Sequence, residues 1–362
     1  MKILHILTDT NIGGAGVYLL ALLKSHDRSD FSIEVVLPIG SRLTPVIEAL
    51  DIPVIEIPHI QEQSFSLKAV GTLYKLLGEK KPDLVHTHAA FSGRVAAKLR
   101  AIPVIYSRHY CVAKPSLKQK MLGVVNQIFS DGIIATSPEV TAGMLAIGVK
   151  PERITTIYNG VPPLKHLSRE KKTAIRTRYG IPNDSFVVSQ VARLDPVKGH
   201  DITLDAAKVL AQDPNIVILL AGDGPLEMHL RKRIEAESIK NVIMVGFISA
   251  VEEIFNITDL QMCASYTETT SLVLLEGMSL GIPAVVTNGG GNPLVIPHNE
   301  RGLVVPCGDG IAMAEAILKI KNDPALYQQL SKGAEIGYNK QFRAENMTRQ
   351  VEKLYLTVLK KG

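Results

Sequence analysis

The sequence predicts an α/β protein made of two doubly wound, Rossmann-like domains with parallel sheets. Three observations lead there. Thirteen short apolar runs alternate with helical patterns along 362 residues. Most of these runs are apolar throughout, as expected of strands covered on both faces. A proline-bearing break at Asn159–Pro163 divides the series. Thirteen strands are many for one open sheet, and two domains accommodate them more economically.

In chain order, the first half offers Lys2–Leu7, Ile33–Leu37, Val54–Ile57, Leu84–His86, Val104–Tyr106, Gly132–Ala135 and Ile154–Ile157. The second half offers Phe186–Val191, Ile216–Ala221, Val242–Val245, Leu260–Cys263, Ala284–Thr287 and Leu303–Val305. The last segment, Phe342–Lys361, carries helical apolar spacing at Met347, Val351, Leu354, Tyr355 and Val358. The expected organisation is therefore a first domain of residues 1–163 plus 342–362 and a second of residues 164–341.

Composition narrows the function. A formal charge of +5 is too weak to argue for nucleic acid as a partner. Three cysteines (Cys111, Cys263 and Cys307) are odd in number and lack metal-ligand spacing. They suggest reduced thiols in a cytoplasmic protein, with Cys263 and Cys307 expected in the core. No apolar run approaches the ~18 residues of a membrane span. The N-terminal apolar stretch is too short and polar for a signal peptide.

Several loops carry chemistry. Between the first strand and its helix, Gly13, Gly14 and Gly16 allow a backbone to approach a phosphate closely. This is not a nicotinamide fingerprint: Leu19 stands where a small residue is needed, and no acid ends the second strand. After the first strand of the second half, Arg193 and Lys198 lie on one loop, with Gly199 before a helix. A planar fork and a point charge so spaced can clamp a diphosphate. His200 is expected to cap that helix. Farther on, Glu268 and Glu276 flank a strand–loop–helix transition, about 80° apart around a helix axis at 100° per residue. Two carboxylates so placed suit a ligand with two hydroxyl-bearing parts, such as a sugar and a ribose.

The stretch from Glu268 through Leu272, Leu275, Glu276, Met278, Gly281 and Pro283 resembles the E-x7-E signature of glycosyltransferase family 4, retaining enzymes of GT-B fold. Thr269, Thr270 and Ser271 replace the usual glycine–aromatic–glycine, and Leu294 stands where an acid is usual. The Arg193–Gly199 loop resembles another motif of that family, and Tyr106–His109 its T-x-H segment. The resemblance implies two domains facing a central cleft, with the terminal helix crossing back to the first. It implies catalytic roles for His109, Arg193, Lys198 and Glu268. Donor-binding roles fall to Gly13, Gly14, Gly16, Thr270, Ser271, Leu272 and Glu276. Glu268 would contact the transferred sugar and Glu276 the ribose. His86 and His88 would give structural support.

The implied activity is retaining, metal-independent transfer of a sugar from a nucleotide-sugar donor, a UDP-sugar by analogy. No separate cofactor is expected. The expected acceptor is a glycan or a lipid-linked saccharide of the bacterial surface. Arg108, Lys114, Lys118 and Lys120 precede an apolar helical pattern at Met121–Phe129, and a basic amphipathic stretch can rest on anionic lipid. That would place the protein in the cytoplasm with peripheral contact at the inner face of the membrane. The alternatives are a sugar-nucleotide epimerase of the same architecture and a non-catalytic glycan-binding subunit.

Overall fold

The computed structural model describes residues 1–61, 64–88, 90–110, 115–248 and 250–360. Cys111 and Lys114 lie outside them. The chain forms two compact units, Met1–Val161 with Ala344–Gly362, and Pro162–Arg343.

In the first unit the strands are β1 Lys2–Leu7, β2 Ser32–Pro38, β3 Val54–Ile57, β4 Leu84–His88, β5 Val104–Arg108, β6 Gly132–Ala135 and β7 Ile154–Thr156. They form one parallel sheet in the order β3-β2-β1-β4-β5-β6-β7. Register follows the apolar sequence: Ile3 pairs with Ile33 on one side and Leu84 on the other. Helices start where short polar residues can cap them. Ser66 accepts from the Ala69 amide, and Ser116 and Gln119 form a capping box for the helix Leu117–Ile128.

The last helix, Ala344–Leu359, belongs to this unit. It buries Met347, Val351, Tyr355 and Val358 against Ile3, Ile105 and Ile134. Spacing of three or four residues puts these side chains on one face, and burial of each contributes about 1.5–3 kcal/mol.

The second unit holds β8 Phe186–Val191, β9 Ile216–Ala221, β10 Val242–Gly246, β11 Leu260–Cys263, β12 Ala284–Thr287 and β13 Gly302–Val305. Its parallel sheet runs β10-β9-β8-β11-β12-β13. A core of Val188, Leu204, Ile218, Leu260, Val285, Met313 and Ile317 fills one side of it.

Both sheets change winding direction once, between β1 and β4 and between β8 and β11. The connections after these strand pairs diverge to opposite faces, which leaves a crevice at the carboxyl ends where doubly wound folds bind ligands.

Candidate active site

In the second unit, the loops after β8 and β11 come together at the switch point. Arg193, Lys198 and Gly199 follow β8, and Glu268 follows β11. Lys198 Nζ lies 2.6 Å from Glu268 Oε1, and Ser265 Oγ donates to the same oxygen at 2.9 Å. Both charged side chains are mostly shielded, at 23% and 12% exposure. Arg193 is mostly exposed and pairs with Asp195 at 3.0 Å. An exposed pair of this kind contributes little to stability and leaves the guanidinium available to a ligand.

Glycines make this meeting of loops possible. Gly199 has φ +65°, and a Cβ there would overlap the Ala264 carbonyl. Gly222 and Gly224 let the turn after β9 lie against the Ala192–Leu194 backbone, where Leu194 N donates to Asp223 O at 2.7 Å. Close packing against the Arg193 loop is thus the structural use of that turn. Gly290, at φ +59°, and Gly291 sit on the backbone of Glu268, whose carbonyl accepts from Gly291 N at 2.8 Å. The loop lacking the usual acid therefore fixes the path of Glu268, while Leu294 is exposed.

Glu276 lies on the helix Leu272–Met278. Burial raises its carboxyl pKa to about 7. The side chain makes no hydrogen bond among the described residues, so desolvation is unopposed. Ser271 is the N-cap of this helix without a side-chain cap bond, and Thr270 before it is buried. Thr270, Ser271 and Leu272 therefore gather at a helix start, where amides lack intrahelical acceptors.

Two expectations are corrected here. His200 does not cap its helix: Gly199 does, and His200 is buried with Nε2 2.9 Å from Arg193 O. It braces the Arg193 loop. Cys307 is exposed rather than in the core, because β13 ends at Val305 and the chain turns outward; Cys263, inside β11, is buried.

In the first unit the glycines divide. The helix begins at Gly14, with Gly13 as N-cap, and both are exposed. Gly16 lies inside that helix, where a Cβ would crowd Leu43 at 3.2 Å. Its small size serves packing against Leu43.

His109 follows β5 directly. Burial lowers its pKa to about 4, so the neutral imidazole dominates at pH 7. Behind it lies a histidine chain that linear spacing concealed. His109 Nε2 is 3.4 Å from His88 Nδ1, and His88 Nε2 is 3.1 Å from His5 Nδ1. His5 Nε2 is 3.4 Å from the Tyr355 hydroxyl, which is 2.6 Å from His86 Nδ1; His86 Nε2 is 2.8 Å from Ser107 Oγ. Burial drives the pKa of His5 down to about 3 and those of His86 and His88 well below the ordinary value.

Ring nitrogens of His5, His86 and His88 all lie within 4.8 Å of one another. These residues come from adjacent strands β1 and β4, and strand pairing, not sequence spacing, brings them together. Both ring nitrogens of His86 already face hydrogen-bonding partners, and the donor set has no carboxylate to balance a dication. The cluster therefore fits a hydrogen-bonded chain better than a cation site.

Two doubly wound, parallel-sheet units in one chain are the architecture of the GT-B class of glycosyltransferases. The model for "Glycosyl transferases group 1" matches residues 171–336, and that for "Glycosyltransferase Family 4" matches residues 12–163. The chain belongs to glycosyltransferase family 4 and is an enzyme of that kind.

Among its relatives is N-acetyl-alpha-D-glucosaminyl L-malate synthase of Bacillus anthracis, 25% identical over 97% of this chain and 95% of that protein. Another is the Escherichia coli UDP-Gal:alpha-D-GlcNAc-diphosphoundecaprenol alpha-1,3-galactosyltransferase, 27% identical over 80% of this chain and 78% of that one. The fold is shared with Anabaena Alr3699/HepE in complex with UDP and glucose, at TM-score 0.85, 23% identity and 98% and 99% coverage of the two chains. It is also shared with a glycosyltransferase from Rickettsia africae ESF-5, at TM-score 0.86, 20% identity and 100% and 99% coverage.

Proposed function

We propose that this enzyme transfers a hexose from a UDP-sugar to an acceptor with retention of anomeric configuration and without a metal ion. The observation that carries the reading is the shielded Lys198–Glu268 pair at the β8/β11 switch point. A departing UDP develops negative charge on its diphosphate. Lys198, with Arg193 on the same loop, offers two cations for it, and preorganised charges in a shielded site act strongly. Glu268 is then an acceptor for hydroxyls of the transferred sugar. Glu276, whose side chain has no hydrogen-bond partner among the described residues, is available to accept from ribose hydroxyls. In the first unit, His109 presents a neutral ring beside His88, and Gly13 and Gly14 present backbone amides at a helix start, groups that suit sugar hydroxyls and phosphate oxygens.

Uracil as the base is supported by the UDP and UDP-glucose complexes of Anabaena Alr3699/HepE. The names of the two relatives specify malate and a diphosphate-linked lipid saccharide, both of which carry acidic groups. We take the acceptor here to be acidic as well, with surface polysaccharide assembly as its setting. Among the described residues no helix is long and apolar enough to cross a membrane. The helix Leu117–Ile128 exposes Leu117, Met121, Leu122, Val124 and Ile128 beside Lys118 and Lys120, which supports peripheral contact with anionic lipid.

The test is incubation with UDP-glucose, UDP-galactose and UDP-N-acetylglucosamine in EDTA, with diphosphate-lipid and hydroxy-acid acceptors. Proton NMR of the product reads the anomer. An α-linked product in EDTA is expected. A β-linked product, or activity that returns only with added metal, overturns the corresponding part.

A further inference from the structure

The first unit contains a pocket of about 350 Å³ at the end of β5, lined among others by Phe91, Arg94, Tyr106, Arg108, Tyr110 and Asn126. Arg94 is 5% exposed and Arg108 7%. A buried guanidinium is costly unless an anion pairs with it. Among the described residues neither arginine forms an ion pair.

Their partners are neutral. Arg94 Nη1 donates to Asn126 Oδ1 at 2.7 Å, and its guanidinium lies over the rings of Tyr106 and Phe91 at 4.1 and 4.8 Å. Its buried Nε–H meets no acceptor among the described residues. Arg108 Nε donates to Tyr110 O at 3.1 Å, and its guanidinium stands 4.4 Å from the Tyr110 ring. Burial pulls the Arg94 pKa down, and the charge of Arg108 adds to that fall. Two cations thus share one small pocket, with a donor left unused.

We propose that this pocket binds the carboxylate or phosphate group of a small organic acid or phosphate ester. A planar guanidinium matches two oxygens of such a group, and an anion in the pocket would relieve both buried charges at once. The aromatic walls suit the less polar remainder of the molecule. That the bound group belongs to the sugar acceptor rests on the transferase reading. That the pocket binds an anion does not.

The experiment is calorimetric titration of the full chain at low salt with malonate, inorganic phosphate and decyl phosphate, the last below its micellar concentration. At least one probe is expected to bind. Arg108→Gln and Arg94→Lys should each weaken it by about tenfold or more, the loss of a charged hydrogen bond. Thermal midpoints and the UDP-induced shift should match wild type in these variants. Arg108→Gln carries the test if Arg94→Lys fails to fold. Malonate or phosphate binding as well as decyl phosphate marks a soluble acid as the ligand class, and tighter binding of decyl phosphate marks a lipid phosphate. Failure of all three probes to bind wild type at millimolar concentration, or equal affinity in both variants, overturns the proposal. Anion binding without any response to UDP leaves the pocket standing and removes the transferase reading instead.

Discussion

Lys198 and Glu268, 70 residues apart in sequence, meet with 2.6 Å between Nζ and Oε1. The pair joins the loop after β8 to the loop after β11, and Ser265 holds the same carboxylate oxygen. In the proposed donor site, a diphosphate would meet a lysine already held at the switch point, and Glu268 would keep Ser265 as a partner if the lysine turned to it.

Lys198→Met removes the cation and keeps the stem. We expect donor affinity or turnover to fall by about 10–200-fold, the value of one charged hydrogen bond. Glu268→Gln should lower kcat more than it raises the donor KM, because the amide still fills the space. Steady-state kinetics on both variants checks the split. Wild-type turnover in either would remove its residue from the reaction.

Glu276 gives a pH dependence. Burial raises its carboxyl pKa to about 7, and in the proposed role ribose hydroxyls would donate to the ionised form. Bound nucleotide should therefore lower that pKa, and affinity should fall as pH falls below 7. From pH 7.5 to 5.5 the expected loss is roughly tenfold to thirtyfold. Glu276→Gln should bind more weakly at pH 7.5 and lose this slope. The sign for folding is opposite. A raised carboxyl pKa means the folded state holds the proton more tightly, so its stabilising effect is lost as pH rises through 7. Calorimetric titration of UDP at several pH values reads the binding arm.

Much of this was legible before any coordinates. Apolar runs marked every strand because parallel strands are buried on both faces, and the ends of β1, β3, β6, β8, β9, β11 and β12 fall where the runs do. Arg193 with Lys198, and Glu268 with Glu276, stood out by their spacing on two strand–loop–helix units, after β8 and after β11. What stayed hidden depends on pairing between distant strands. His5 on β1 meets His88 on β4 only through sheet register, in which His5 pairs with His86 and Leu7 with His88. Arg94 carries no motif that marks it in the sequence, and only packing shows it buried without a carboxylate partner among the described residues. The packing of Gly16 against Leu43 was also hidden, because a glycine used for helix packing and one used for phosphate approach look alike in sequence.

Gly199→Ala should destabilise the second unit by about 3 kcal/mol or more. It combines a left-handed backbone with overlap on the Ala264 carbonyl. Gly308→Ala is the control. Its φ is +82°, yet a Cβ there meets nothing within 4 Å, so only the backbone cost of about 1–2 kcal/mol remains. Chemical denaturation of both variants should separate them clearly. Equal destabilisation would mean that the loop junction at Ala264 is looser than described.

Tyr355→Phe removes the hydroxyl between His86 and His5. Leaving a buried ring nitrogen unpaired should cost about 1–3 kcal/mol, read as a lower denaturant midpoint. The chain should also make the first unit acid-sensitive. Its histidines are held neutral by burial, with His5 at about 3, so the unfolded chain takes up protons first as pH drops below 6.5. Stability should fall by up to about 1.4 kcal/mol per pH unit for each such histidine. Nitrogen-15 shifts of the rings report tautomers directly, and unchanged shifts in Tyr355→Phe would show that the tyrosine does not order them.

The most direct test of the donor site is the thermal midpoint of metal-free protein with UDP, GDP, ADP or CMP, for wild type, Arg193→Ala and Lys198→Met. At 100 times its dissociation constant a ligand adds about 2.7 kcal/mol to stability. UDP should raise the wild-type midpoint, the other nucleotides should do less, and both variants should lose most of the shift at the same UDP concentration. No shift with any of the four nucleotides, or an undiminished UDP shift in Lys198→Met, would contradict a UDP-sugar site built on Lys198 and Glu268.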